Sequence, residues 1–248
     1  MEENKTQMLY GIHPVMEAIR AGRTFDKVLL KQGMEGEQFR QLYALIGEKK
    51  INCQFVPVER LNRAVRGAHQ GVVAYVSQIE LVGLEEMVEK ALAKSSNPLF
   101  VILDGVSDVR NLGAVSRTLE CVGGNGIIVP AKGGAAINAE AVKASAGALT
   151  RIDACRVPNL RYAAYYLKQA GFKIVAATEK VDRYIYDADL TGPVAVVMGS
   201  EGKGISSAML DLSDEKVAIP MSGNIGSLNV STAAAVMMYE VVRQRLKL

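Results

Sequence analysis

Four runs of uninterrupted apolar residues constrain this chain more than anything else in it: LFVILD (99–104), GIIVP (126–130), KIVAAT (173–178) and PVAVVMG (193–199). A strand with one wet face alternates apolar and polar residues. These runs do not alternate, so they suit parallel strands buried on both faces. Helical stretches lie between them, at 112–122, 139–146 and 160–170. Such β-α alternation predicts an α/β fold with a doubly wound, mostly parallel sheet. A long final helix is expected over 228–246. It ends Arg243-Gln-Arg-Leu-Lys, basic as a helix C-terminus prefers.

Residues 1–77 predict a smaller α/β unit. Helix is expected at 14–21, 37–48 and 58–65, and strand at 27–31, 52–58 and 71–77. In the second of these helices Phe39, Leu42, Leu45 and Ile46 fall on one face. Residues 78–98 read as a connector carrying one helix and ending in the turn Lys94-Ser-Ser-Asn-Pro98. Residues 99–248 then form the larger unit.

Composition narrows the function classes. The chain is 49% apolar and 22% charged, an ordinary globular balance. Cys53, Cys121 and Cys155 are odd in number and far apart, and two histidines, His13 and His69, are too few for a multi-histidine metal site. A disulfide framework or zinc centre is therefore not expected, and a reducing cytoplasm fits. The polar start Met1-Glu-Glu-Asn-Lys5 lacks a signal-peptide core, and no apolar run is long enough to span a bilayer. The glycosylation-like triplets at Asn4 and Asn229 are then coincidences. Net charge is +3, which permits a nucleic-acid partner without demanding one.

Ligands in open α/β sheets sit beyond the carboxyl ends of the strands. Three segments lie there. The first holds Asn111-Leu-Gly-Ala-Val-Ser-Arg117, with Asn111 placed to cap a helix and Arg117 about two turns on. The second is Val197-Met-Gly199-Ser-Glu201-Gly202-Lys-Gly204. It is neither a P-loop nor a dinucleotide fingerprint, because the glycine spacing is wrong for both. A plain glycine turn also has no need of the acid Glu201. In the third, a short strand at Ile219-Pro-Met221 runs through small polar residues to Ser227-Leu228-Asn229-Val-Ser231, where Ser227 or Asn229 would cap the last helix. Elsewhere, Arg60, Arg63 and Arg66 recur at helical spacing, followed by His69-Gln70-Gly71. Residues 1–77 carry 11 Lys and Arg against 8 Asp and Glu, denser positive charge than the 16 against 14 of residues 99–248. A solvated charged face and an RNA grip both fit that pattern.

Taken in order, the three segments resemble the motifs of the SpoU (TrmH-like) family of RNA 2′-O-ribose methyltransferases. Tyr10-Gly-Ile-His13-Pro-Val and His69-Gln70-Gly71-Val resemble the substrate-binding domain of its RlmB-like branch, which methylates a guanosine in 23S ribosomal RNA. The resemblance covers nearly the whole chain and fades between residues 79 and 97. It implies a trefoil-knotted methyltransferase domain that holds S-adenosylmethionine, with Gly199, Gly202, Ile219, Met221 and Leu228 as cofactor positions. It implies Arg117 as the central catalytic residue, with Asn111, Glu201, Ser227 and Asn229 orienting the hydroxyl, and His69 and Gln70 as RNA contacts; the shared helical face of Arg60, Arg63 and Arg66 makes those three further expected contacts to RNA phosphates. It further implies a homodimer, an rRNA partner met before or during subunit assembly, no metal and no membrane. Two rivals stay open: a tRNA ribose methyltransferase, and an inactive RNA-binding assembly factor on the same fold. A nucleotide-binding oxidoreductase fails for want of a dinucleotide fingerprint.

Overall fold

The computed structural model describes residues 8–49, 51–77 and 79–246. The chain divides into two compact units, Met1–Glu80 and Leu81–Leu248.

The first unit contains β1 (Met8–Tyr10), α1 (Ile12–Arg20), β2 (Phe25–Lys31), α2 (Glu37–Glu48), β3 (Cys53–Val56), α3 (Val58–Ala64) and β4 (Val72–Val76). Its sheet runs β1-β4-β2-β3, with β2 parallel to β3 and the other pairs antiparallel. One face packs on α1 and α2 through Val15, Ile19, Val28, Leu30, Leu42 and Ile46. The other packs on α3 through Leu29, Val56, Leu61 and Val73. Alternate residues of β2 thus feed opposite cores, which is why FDKVLLK ends in a solid apolar run.

The second unit contains α4 (Leu84–Lys94), β5 (Leu99–Asp104), α5 (Val109–Cys121), β6 (Gly126–Pro130), α6 (Ala139–Ala144), β7 (Asp153–Val157), α7 (Leu160–Gln169), β8 (Lys173–Ala177), β9 (Val194–Gly199), α8 (Ser207–Leu212), β10 (Glu215–Val217) and α9 (Val230–Leu246). Its six strands run β10-β8-β9-β5-β6-β7, and every pair is parallel. The expected doubly wound sheet is present, and β5, β6, β8 and β9 fall on the four apolar runs. Strand order reverses between β5 and β9, whose ends lie side by side at Asp104 and Gly199.

Two elements differ from the sequence expectation. The helix of residues 78–98 buries Leu84, Met87, Val88 and Ala91 in the core of the second unit, and Leu81 bridges to Ala154 of β7. The short strand expected at Ile219 forms earlier, as β10, and a further bridge joins Ala218 to Tyr184. Ile219 begins the loop instead, because Pro220 next to it has no N–H for a ladder.

Candidate functional site

The site is built at the carboxyl ends of β8, β9 and β10. Each motif reaches it for a local reason.

Helix α5 starts two residues before Asn111. Its cap is Asp108, whose carboxylate accepts from the backbone N–H of Arg110 at 2.8 Å. The Arg110 guanidinium folds back on the same carboxylate and holds it below the usual range. Asn111 is therefore not the cap expected from sequence, and its side chain, in the first helical turn, is free for other bonds. Two residues on, a Cβ at Gly113 would lie 2.4 Å from the Cβ of Ala144, so glycine lets α6 pack against this helix.

Glu201 sits at the tip of a closed turn. Ser200 and Gly204 exchange both backbone hydrogen bonds, at 3.1 and 2.9 Å. Gly202 and Gly204 have φ of +89° and +70°, a region that favours glycine. A Cβ at Gly199 would fall 2.2 Å from the carbonyl carbon of Gly204. The turn is also braced from β5, where Asp104 accepts from the backbone N–H of Ser206 at 2.8 Å.

Asn229 precedes α9 and caps it. Its side-chain oxygen accepts from the backbone N–H of Ser231 at 2.9 Å and from the Ser231 hydroxyl. The capping reading of sequence holds for this residue and leaves its amide nitrogen available. That nitrogen donates to Glu201 Oε1 at 2.6 Å and to Asn111 Oδ1 at 3.1 Å, while the Asn111 amide donates to Glu201 Oε1 at 3.1 Å. Residues 111, 201 and 229, far apart in sequence, thus close into one triangle. Glu201 Oε2 has no partner among the described residues.

Beside the triangle lies a cavity of about 520 Å³. Gly199, Glu201, Gly202, Ile219, Met221, Ser227, Leu228 and Asn229 all line it. Its remaining wall includes Ala177, Thr178 and Glu179 at the end of β8, Met198 of β9, and Ala233 of α9. Sequence reasoning passed over these. The signal for the β8 residues was present, since Ala177 and Thr178 end the run KIVAAT and Glu179 follows it much as Glu201 follows PVAVVMG. Asn111 and Arg117 are not lining residues. Arg117 is exposed on α5, with no hydrogen bond or ion pair among the described residues. No group of three or more His, Cys, Asp and Glu side chains placed to hold a metal occurs among the described residues.

In the first unit the two quoted motifs meet each other. Gln70, at φ +49°, accepts through Oε1 from the backbone N–H of Ile12 at 3.2 Å and so caps α1, while Gly67 lies against the Tyr10 ring. His69, expected as an RNA contact, is turned inward. It is 9% exposed, its Nδ1 accepts from the Gly71 N–H at 3.0 Å, and its Nε2 donates to Asn62 Oδ1 at 2.8 Å. With both ring nitrogens spent, it pins the turn that presents Gln70. Arg60 and Arg63 are exposed on α3. Arg66 is exposed too, but the helix ends at Ala64 and Val65 is extended, so Arg66 does not share their helical face.

The comparisons agree with this geometry. Residues 98–239 match the model of the SpoU rRNA Methylase family, and residues 8–82 match that for RNA 2′-O ribose methyltransferase substrate binding. A TrmH family tRNA/rRNA methyltransferase of Bacillus subtilis, YacO, is 34% identical over 235 residues, covering 95% of this chain and 94% of the relative. The SpoU methyltransferase AviRb from Streptomyces viridochromogenes, solved in complex with AdoMet, is 25% identical with a TM-score of 0.63, over 97% of this chain and 90% of its own. The TrmH/SpoU tRNA modifying enzyme of A. aeolicus is 30% identical with a TM-score of 0.57, over 66% of this chain and 85% of its own. With two family models matched in order along the chain and a relative 34% identical over 95% of it, this chain belongs to the SpoU family of RNA methyltransferases.

Proposed function

We propose that the protein transfers a methyl group from S-adenosylmethionine to a ribose 2′-hydroxyl, and that its target is a guanosine of 23S ribosomal RNA. The observation that carries this reading is the Asn111–Glu201–Asn229 triangle at the rim of the cavity.

The residues present fit the cofactor. A cavity of about 520 Å³ lies in the range usual for small-molecule sites. Its wall joins apolar Met198, Ile219 and Leu228 to polar Thr178, Glu179, Ser227 and Asn229, which suits a ligand with both an aromatic base and a charged amino-acid end. Gly199, Gly202, Ile219, Met221 and Leu228 would hold it. When bound, the cofactor supplies a methyl group already activated by its sulfonium.

The protein must then orient a poorly nucleophilic hydroxyl and favour loss of its proton. Glu201 accepts on Oε1 from two amides and keeps Oε2 for the RNA. Ser227, exposed in the cavity wall, offers a hydroxyl with no other partner among the described residues. A guanidinium is a poor base, so Arg117 is not assigned the hydroxyl proton. Its part is to hold the phosphate beside the target ribose and stabilise the developing alkoxide. Arg60, Arg63 and Gln70 grip the RNA, with His69 as a positioning residue.

The rRNA reading is favoured over a tRNA one by the matched substrate-binding segment and by the coverage of the neighbours. The tRNA modifying enzyme covers only two thirds of this chain, whereas the substrate-binding match takes in residues 8–82. The same reading includes a cytoplasmic homodimer that meets its RNA before or during subunit assembly. It also includes a trefoil knot in the second unit. Support for the knot comes from the segment after β8, where Ala218 donates to the Arg183 carbonyl and accepts from Ile185 N–H just before the cavity loop returns to α9.

The test is methyl transfer from labelled S-adenosylmethionine to 23S rRNA fragments and to tRNA. A 2′-O-methyl group makes the following phosphodiester resist alkali, so the label is expected in an alkali-stable dinucleotide from 23S rRNA. Label in tRNA alone would replace the substrate, and no calorimetric binding of S-adenosylmethionine would end the enzyme reading.

A further inference from the structure

The substrate-binding unit carries a surface that the proposed RNA grip leaves unused. On α2, Phe39 and Tyr43 stack with ring centroids 5.9 Å apart and planes 24° apart. Phe55 of β3 joins them, 5.7 Å from Tyr43 and 6.4 Å from Phe39. Phe39 is packed against the core below. Tyr43 and Phe55 are 47% and 46% exposed, although neighbouring Leu42 and Ile46 of the same helix are wholly buried. β3 is the edge of its sheet, paired with β2, and Tyr43 and Phe55 stay half exposed among the described residues.

We propose, on the reading of the chain as an RNA methyltransferase, that Tyr43 and Phe55 form a stacking platform for unpaired bases of the substrate RNA. Three features favour bases over another occupant. The exposed large apolar side chains here are aromatic, Tyr43 and Phe55, while the neighbouring aliphatic Leu42, Ile46 and Val56 that would fill a protein interface are buried. Gly47, one turn beyond Tyr43, leaves the adjacent space open, since a Cβ there would meet nothing within 4 Å. The helix acids Glu37 and Glu48 lie roughly 120–140° round the helix from Tyr43, away from an approaching phosphate chain. The unit itself matches an RNA substrate-binding model and is net positive over residues 1–77. Unstacked bases bind aromatic faces without needing a particular sequence, and that is how single-stranded loops are usually gripped.

The test uses the full chain with two probes, a single-stranded oligoadenylate of about ten nucleotides and a fully paired RNA duplex of similar size. Tyr43→Ala and Phe55→Ala are each expected to weaken oligoadenylate binding roughly tenfold, with duplex affinity unchanged. Tyr43→Phe, which keeps the ring, should bind as the parent does. The chain has no tryptophan, so Phe55→Trp introduces a single reporter, whose fluorescence should be quenched by oligoadenylate. Undiminished oligoadenylate affinity in both alanine variants overturns the platform. So does a change in sedimentation with unchanged RNA affinity, which would make the face a contact between copies. If the parent transfers methyl groups normally while the variants bind RNA equally well, the platform alone fails. If the parent binds neither RNA, the function reading fails with it.

Discussion

Gly199→Ala tests whether the glycine turn is shaped by its own backbone. The added Cβ would sit 2.2 Å from the Gly204 carbonyl carbon and 2.3 Å from the Ile205 nitrogen. Both are main-chain atoms, so no side chain can swing aside. Ordinary contact requires the 200–204 turn, anchored on buried Ile205, to move by roughly an ångström. Such a shift strains or breaks the two Ser200–Gly204 backbone bonds, each worth about 1 kcal/mol net. Overpacking adds about 1–3 kcal/mol, for a total of about 2–5 kcal/mol. For a protein of this size each kcal/mol lowers the melting temperature by about 2–4 °C, so a drop of about 5–20 °C is expected. Glu201 rides on the turn, so cofactor affinity and methyl transfer should fall as well. Thermal unfolding and calorimetry with S-adenosylmethionine measure both. Gly192→Ala is the control, since a Cβ there meets nothing within 4 Å, and it should change stability by less than about 0.5 kcal/mol. A Gly199→Ala protein that melts like the control and keeps its cofactor affinity would refute the argument.

Arg117→Ala should lower methyl transfer about 10²–10³-fold with cofactor affinity retained, because Arg117 does not line the cavity; turnover near the parental rate would displace it from the active site. Arg117→Lys keeps charge without the planar fork, so retained activity would mark a point-charge role and near-total loss a geometric one. Arg60→Ala with Arg63→Ala should flatten the logarithmic salt dependence of RNA binding, by about 0.7–0.9 in slope for each phosphate no longer neutralised; an unaltered slope would return both to a solvated face. Glu240, almost fully buried, takes two bonds from the Arg243 guanidinium and one from Gln244, and the first of these holds its carboxyl below the ordinary 4.5. The charged form is the one stabilised, so its contribution is full above that value and is lost as pH falls through the lowered one. Glu240→Gln should therefore be less stable than the parent at neutral pH, with the gap closing in acid; a constant gap in denaturation measured across that range would contradict this.

The parallel sheet was readable because burial on both faces leaves its mark directly on a strand, as unbroken apolar runs at 99–104 and 193–199. Strand β7 was not readable. DACRV mixes an acid and an arginine into an edge strand, and only its pairing with β6 makes it one. Three residues of β10 were too few to show a period, and pairing with β8 decided them likewise.

The site divides along the same line. The ordered resemblance to the SpoU motifs marked Asn111, Glu201 and Asn229 as candidates; read singly, both asparagines are helix caps and only the acid Glu201 is out of place in a plain turn. Which group bonds to which depended on tertiary contacts across 90 and 118 residues of chain. Helix capping shows the limit well. Asp108, Asn111 and Asn229 are all competent caps, and only the observed starts of α5 and α9 give that task to Asp108 and Asn229 and release Asn111. His69 and Arg66 show it again. A motif resemblance marked His69 and helical spacing marked Arg66, but two hydrogen bonds occupy the His69 ring, and the extended backbone at Val65 takes Arg66 off the helical face. Local pattern determines which surfaces must be buried and which residue types are out of place, since both are properties of a short stretch. Partners and exposure are properties of the folded chain, and only the tertiary structure assigns them.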